Sequence, residues 1–75
     1  GPPPQAAKTY TVSFTVPGSG SAKQVKIVAI DATSSRVLYS GSAAPGTRLR
    51  ETVTLGQDAS VQFYVNGALV EDRSL

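Results

Sequence analysis

The side chains that could carry chemistry are few, and two of the most useful types are missing. The 75-residue chain contains no His and no Cys. Imidazole-assisted triads, thiolate nucleophiles and His/Cys metal sites therefore cannot be assembled. Ser, Lys, Tyr and five carboxylates remain, the latter being Asp31, Glu51, Asp58, Glu71 and Asp72. Ser-Lys catalysis needs a Ser-x-x-Lys pair on a helix, and no segment has helical periodicity over a useful length. Gly18-Ser19-Gly20-Ser21-Ala22-Lys23 lacks both the phosphate-loop spacing and the helix that would hold a phosphate, so it reads as a hairpin loop. A glycosidase needs two carboxylates facing each other at about 5–10 Å across a cleft; nothing in this spacing shows such a pair, and a sandwich of this size offers little room for a cleft. Asp31 and Asp58 sit among turn-forming neighbours, while Glu71 and Asp72 read as solvated charges. Calcium needs several converging oxygens, and no acidic cluster supplies them. No catalytic, cofactor-binding or metal-ligating residue is predicted, and the chain is expected not to be an enzyme.

Charge and hydropathy remove two further classes. Seven Lys and Arg against five Asp and Glu give a net charge of +2. These cations are scattered rather than gathered on one face, so a nucleic-acid partner is not expected. The longest apolar run, around Ile27-Val28-Ala29-Ile30, is far too short to span a bilayer. The chain lacks Met and opens Gly1-Pro2-Pro3-Pro4, which suggests a processed piece. Three consecutive prolines favour extended polyproline II, rising about 3.1 Å per residue. Residues 1–7 are accordingly expected to be a linker, and residues 8–75 a single domain.

The elements that must position any site follow from period-two patterning. Tyr10, Val12, Phe14 and Val16 alternate with Thr9, Thr11, Ser13 and Thr15, which predicts a half-buried strand. Pro17-Gly18-Ser19-Gly20-Ser21 breaks it. Residues 25–30 are apolar on both faces, as expected of a strand covered on both sides or kinked by a bulge. Asp31 to Ser35 form a turn, residues 36–40 a short strand, and residues 41–47 a break containing Pro45-Gly46. Residues 48–55 place Leu49, Val53 and Leu55 on one face, with Glu51 as a misfit that suits an edge or rim. After Gly56-Gln57-Asp58-Ala59 comes a strand with Val61, Phe63 and Val65 inward. Asn66-Gly67 then predicts a type I′ hairpin, which needs positive φ at both central residues. The whole reads as an all-β antiparallel sandwich of about six to seven strands, soluble and monomeric in isolation.

In that hairpin Phe63 is expected to face Val70, so that Phe63, Val65 and Val70 share the inner face. Tyr64 and Leu69 then share the outer face with Gln62 beside them. Tyr64, Leu69 and Gln62 form the candidate interaction patch, although a cross-strand pair contributing about 0.2–1 kcal/mol to the sheet explains Tyr64 and Leu69 as well. Tyr39 and the exposed pair Arg48/Arg50 have equally plain structural readings.

The ordered set of patterns resembles a known family. Gly1-Pro2, the alternating first strand, Val25-Lys26-Ile27-Val28-Ala29-Ile30-Asp31, Val37-Leu38-Tyr39-Ser40-Gly41 and Val61-Gln62-Phe63-Tyr64-Val65-Asn66-Gly67-Ala68-Leu69-Val70 carry the resemblance. It is to the C-terminal Ig-like extracellular domain of bacterial PASTA-repeat membrane serine/threonine kinases. The resemblance implies an Ig-like fold and a cell-wall-sensing parent at the extracellular face of the membrane. It also implies peptidoglycan fragments or adjacent PASTA repeats as partners. No catalytic residue is carried over, since the kinase motifs lie outside these residues. The alternative reading is a fibronectin-like or carbohydrate-binding spacer domain of a secreted enzyme or adhesin.

Overall fold

A computed structural model describes residues 6–75. The proline-rich start of the expected linker, residues 1–5, lies outside the described residues. Ala6 and Ala7 are exposed and precede the first strand. Six strands follow: β1 (Lys8–Thr15), β2 (Lys23–Ile30), β3 (Ser35–Ala43), β4 (Arg48–Leu55), β5 (Ser60–Val65) and β6 (Ala68–Ser74). Among the described residues there is no helix. The strands form two antiparallel sheets, a pair β1-β4 and a four-stranded sheet in the order β3-β2-β5-β6. The architecture is a small all-β sandwich.

Alternation decides what each strand buries, because successive side chains point to opposite faces. Val12 and Phe14 of β1 and Val53 and Leu55 of β4 are buried, whereas Thr9, Thr11, Thr52 and Thr54 are exposed. The hydroxyls of Thr9 and Thr54 lie 2.9 Å apart across the outer face of this pair. From the larger sheet, Val25, Ile27 and Ala29 of β2 and Val61 and Phe63 of β5 complete the core. Phe14 and Phe63 stack between the sheets, with centroids 4.7 Å apart and planes inclined by 14°. Glu51 pairs opposite Val12 at a half-exposed position. Its carboxylate can reach water there because β4 has a partner on one side only.

The chain crosses between sheets three times, and backbone hydrogen bonds fasten the crossings. Val16 N–H donates to Thr47 O at 2.9 Å and Gly46 N–H to Val16 O at 2.8 Å. Near the opposite ends of these strands, Ala32 N–H donates to Gln57 O at 2.8 Å. Residues 17–22 therefore form a crossover and not a hairpin loop, since β1 pairs with β4 instead of β2. The third strand is longer than its pattern suggests and runs on through Gly41 to Ala43. Gly41 pairs with Val25 in the ladder, and the Tyr39 ring lies where a Gly41 side chain would come within 3.4 Å of its hydroxyl.

Two bulges correct the expected facing. In β3 the register slips so that Ile27 pairs with Tyr39 and Val28 with Val37, leaving Leu38 as the extra residue. In β6, Tyr64 pairs with Leu69 but Phe63 pairs with Glu71, leaving Val70 unpaired. Val70 is thus not the inward partner of Phe63; it is 49% exposed. The hairpin turn itself is as expected of a type I′ pair, with φ of 50° at Asn66 and 84° at Gly67. A Cβ on Gly67 would meet nothing within 4 Å, so substitution there costs backbone strain and creates no clash. Gly67→Val should lower stability by about 1–2 kcal/mol, and Ser19→Ala in the crossover by less than about 0.5 kcal/mol. Urea denaturation measures both, and equal losses would contradict the turn assignment.

Candidate functional site

The outer face of the larger sheet is where the candidate patch falls. Across it, one register row runs Ser40, Lys26, Tyr64, Leu69 and the next runs Val37, Val28, Gln62, Asp72. The rows bring Tyr64 opposite Leu69 and two residues from Gln62, whose Oε1 accepts a hydrogen bond from the Tyr64 hydroxyl at 2.9 Å. Tyr64 and Gln62 also line a shallow depression of about 600 Å³ together with Lys26, Val28 and Ile30. Leu69 stands beside this depression, 50% exposed, and Val37 is 53% exposed. Sequence reasoning missed the β2 contribution. The apolar run over residues 25–30 suggests cover on both sides or a bulge; the β2-β3 ladder is irregular between Ile27 and Val28, and among the described residues no second layer lies on Val28 and Ile30, which are only half-buried. The missing signal is tertiary, because a continuous apolar strand looks the same whether its second face meets protein or partner.

Tyr39 packs against the core, and its hydroxyl donates to Ser42 O at 3.2 Å, which gives it a structural role. Arg48 and Arg50 are exposed on β4, and Arg48 reaches Ser13 Oγ at 3.4 Å. A second depression, of about 760 Å³, lies at one end of the sandwich among Lys8, Tyr10, Gln57, Asp58 and Asp72. Two carboxylates border it, but both are exposed. Among the described residues, no three acidic side chains gather as a metal site would require.

Glu71 and Asp31 are structural. Glu71, expected to be simply solvated, accepts from Arg73 Nε at 2.7 Å. Arg73 in turn places its guanidinium 4.6 Å from the Phe63 ring centroid and donates from Nη1 to Ser13 O at 3.0 Å, bridging the sheets. Asp31 is the turn former its neighbours suggest, and it does more. Its Oδ2 accepts from Gly56 N–H at 2.9 Å, tying the β2–β3 turn to the end of β4. Its Oδ1 accepts from Ser34 Oγ and Ser34 N–H, both at 2.8 Å, and from Thr33 N–H at 3.0 Å.

No family model, no curated protein and no solved structure significantly matches the chain. Among the described residues, no helix is long and apolar enough to cross a membrane.

Donation by Gly56 N–H, then by the Ser34 hydroxyl and the Thr33 amide, with a lesser share from the Ser34 amide, holds the Asp31 carboxyl well below the usual carboxylate range against an opposing desolvation. A group whose folded pKa is depressed stabilises the fold above its unfolded pKa and loses that contribution as pH falls through the folded value. Asp31→Asn should therefore lower the urea midpoint at neutral pH. The gap from wild type should narrow as pH falls below about 4. A gap that stays constant down to about pH 2 would contradict this role for the ionised carboxylate.

Proposed function

We propose that the chain is a non-catalytic extracellular accessory module of Ig-like type, belonging to a cell-wall-sensing membrane serine/threonine kinase. In this role it spaces the parent's other parts or contacts a ligand weakly. Strand order supports the Ig-like reading. Immunoglobulin-type sandwiches set one sheet containing the second and fifth strands against another built around the third, sixth and seventh. The pair β1-β4 and the row β2-β5-β6 match those pairings without the first strand, whereas β3, the fourth in that scheme, joins the larger sheet instead of the smaller.

The observation that carries a binding role is the open depression on the outer face, where Tyr64 lies between Lys26 and Leu69. An aromatic face beside an aliphatic one offers a stacking platform, and the nearby cation and amide offer hydrogen bonds. A peptidoglycan fragment presents all the matching parts: sugar faces, amides and carboxylates. Shallow, open depressions bury little of a ligand, so affinity is low. The same platform supports a second reading, a carbohydrate-binding or fibronectin-like spacer of a secreted enzyme or adhesin. A glycan without stem peptide would serve that role equally well.

Titration of isotopically labelled protein with muropeptides should move the amides of Gln62, Tyr64 and Leu69 weakly, with dissociation constants above micromolar. Glycan lacking the peptide should bind less well if the cell-wall reading holds. Submicromolar affinity, or shifts centred on the crossover ends of the sandwich, would overturn the assignment. The absence of any shift would leave only the spacer role.

A further inference from the structure

Among the described residues, the smaller sheet leaves one long, regular strand edge open, and the geometry shows which backbone groups face it. Val16 N–H and C=O bond to Thr47 and Gly46 on the β4 side. Ser13 O instead points the other way, accepting from Arg73 of β6. Alternation then assigns the amides and carbonyls of Thr9, Thr11, Ser13 and Thr15 to the open edge. Among the described residues, the Arg73 guanidinium is the one group bonded to that edge.

The other sheet edges are guarded in ways this one is not. β3 and β6 are each interrupted by a bulge, at Leu38 and Val70. β4 carries Arg48, Arg50 and Glu51. Bulges and charges are the usual obstacles to edge pairing. β1 keeps an unbroken register against β4 through eight residues, and positions 9–16 hold no charge, glycine or proline.

The opening is one strand wide. Stacking of Phe14 on Phe63 seats β1 over β5, and β6 continues the larger sheet past it, reaching back only through Arg73. A second folded copy pairing through β1 would bring its own β6 into the space of the first. A lone extended strand meets no such obstacle. By pairing with Ser13 O it would release Arg73 Nη1 while Nε stays bonded to Glu71, and the two Nη groups then present a fork that suits a carboxylate.

We propose that the free edge of β1 binds an extended peptide segment, which adds as a third strand of the smaller sheet above β6. The segment is about seven residues long, set by the run of open amides at about 3.4 Å per residue. It is free of proline, with aliphatic side chains inward and one inward acidic side chain that takes the Arg73 guanidinium. Main-chain bonds supply affinity and the alternate side chains supply selectivity, as in other strand additions. This surface is separate from the outer face carrying Tyr64.

A soluble probe with this pattern is the synthetic peptide copying Arg48–Leu55, which alternates Leu49, Glu51, Val53 and Leu55 with polar residues. Added to the intact domain, it should give saturable shifts and new hydrogen-exchange protection at the amides of Thr9, Thr11, Ser13 and Thr15. Protection at Tyr10, Val12 and Phe14 should stay as it was, since those amides already bond β4. A peptide carrying Thr52→Pro should not bind, and one carrying Glu51→Gln should bind about tenfold more weakly. Unchanged odd-numbered amides at millimolar peptide would overturn the proposal. So would changes at the even-numbered amides, which would mean exchange with β4. Undiminished binding of the Glu51→Gln peptide would remove the acidic partner, and undiminished binding of the Thr52→Pro peptide would remove the strand geometry. Shifts confined to Gln62, Tyr64 and Leu69 would overturn the edge proposal while leaving the outer-face reading intact.

Discussion

Phe63 is the point at which the two sheets are joined. It is fully buried, it stacks on Phe14 across the interface, and the Arg73 guanidinium lies over its ring. With only two strands on one side, the core is a single layer of side chains with no deeper interior behind it. A chain without cysteine has no disulfide to reinforce that layer. Much of the order elsewhere follows from this contact. Seating β1 over β5 fixes which β1 carbonyls face outward. Arg73 can then span the side of the sandwich, held between Glu71 and Ser13 O. A cation over an aromatic ring contributes about 0.5–2 kcal/mol, depending on desolvation. Arg73 is about one-third exposed, which places it toward the lower part of that range.

The ends of the sandwich are closed by polar groups instead of apolar ones. Asp31 gathers donors from its own turn and from Gly56 at the end of β4. Asn66 plays a related part at the β5–β6 turn, where its Oδ1 accepts from Gln24 N–H at 3.0 Å and its own N–H donates to Gln24 O at 2.8 Å. The carboxylate is efficient at Asp31 because the turn offers it several backbone donors, whereas Asn66 ties its turn to a single residue of β2. The surfaces proposed for partners are the outer face of the larger sheet and the side edge of the smaller one.

Most of the strands were legible because burial on one face leaves a period-two trace. Val12 and Phe14, or Val61 and Phe63, need no tertiary information to be recognised as inward. Asn66-Gly67 was legible for a similar reason, since the turn's demand for positive φ is local. The bulges were not. A slipped register at Val70 depends on Glu71 and Arg73 being drawn inward to Phe63, which no alternation rule foretells. The extension of β3 past Gly41 was hidden because glycine reads as a break, whereas here Gly41 pairs with Val25 inside the ladder. At the candidate patch, Tyr64, Leu69 and Gln62 were found from hairpin spacing alone. Lys26, Val28 and Ile30 were not, because their place beside Tyr64 is set by the β2-β5 pairing between strands far apart in sequence.

The joining of the sheets depends most heavily on Phe14 and Phe63 acting as one unit. A double-mutant cycle with Phe14→Leu and Phe63→Leu, read by urea denaturation, isolates that contact from the general cost of shrinking each side chain. A stacked pair should show a coupling of about 0.5–1.5 kcal/mol. Losses that add to within about 0.3 kcal/mol would contradict it.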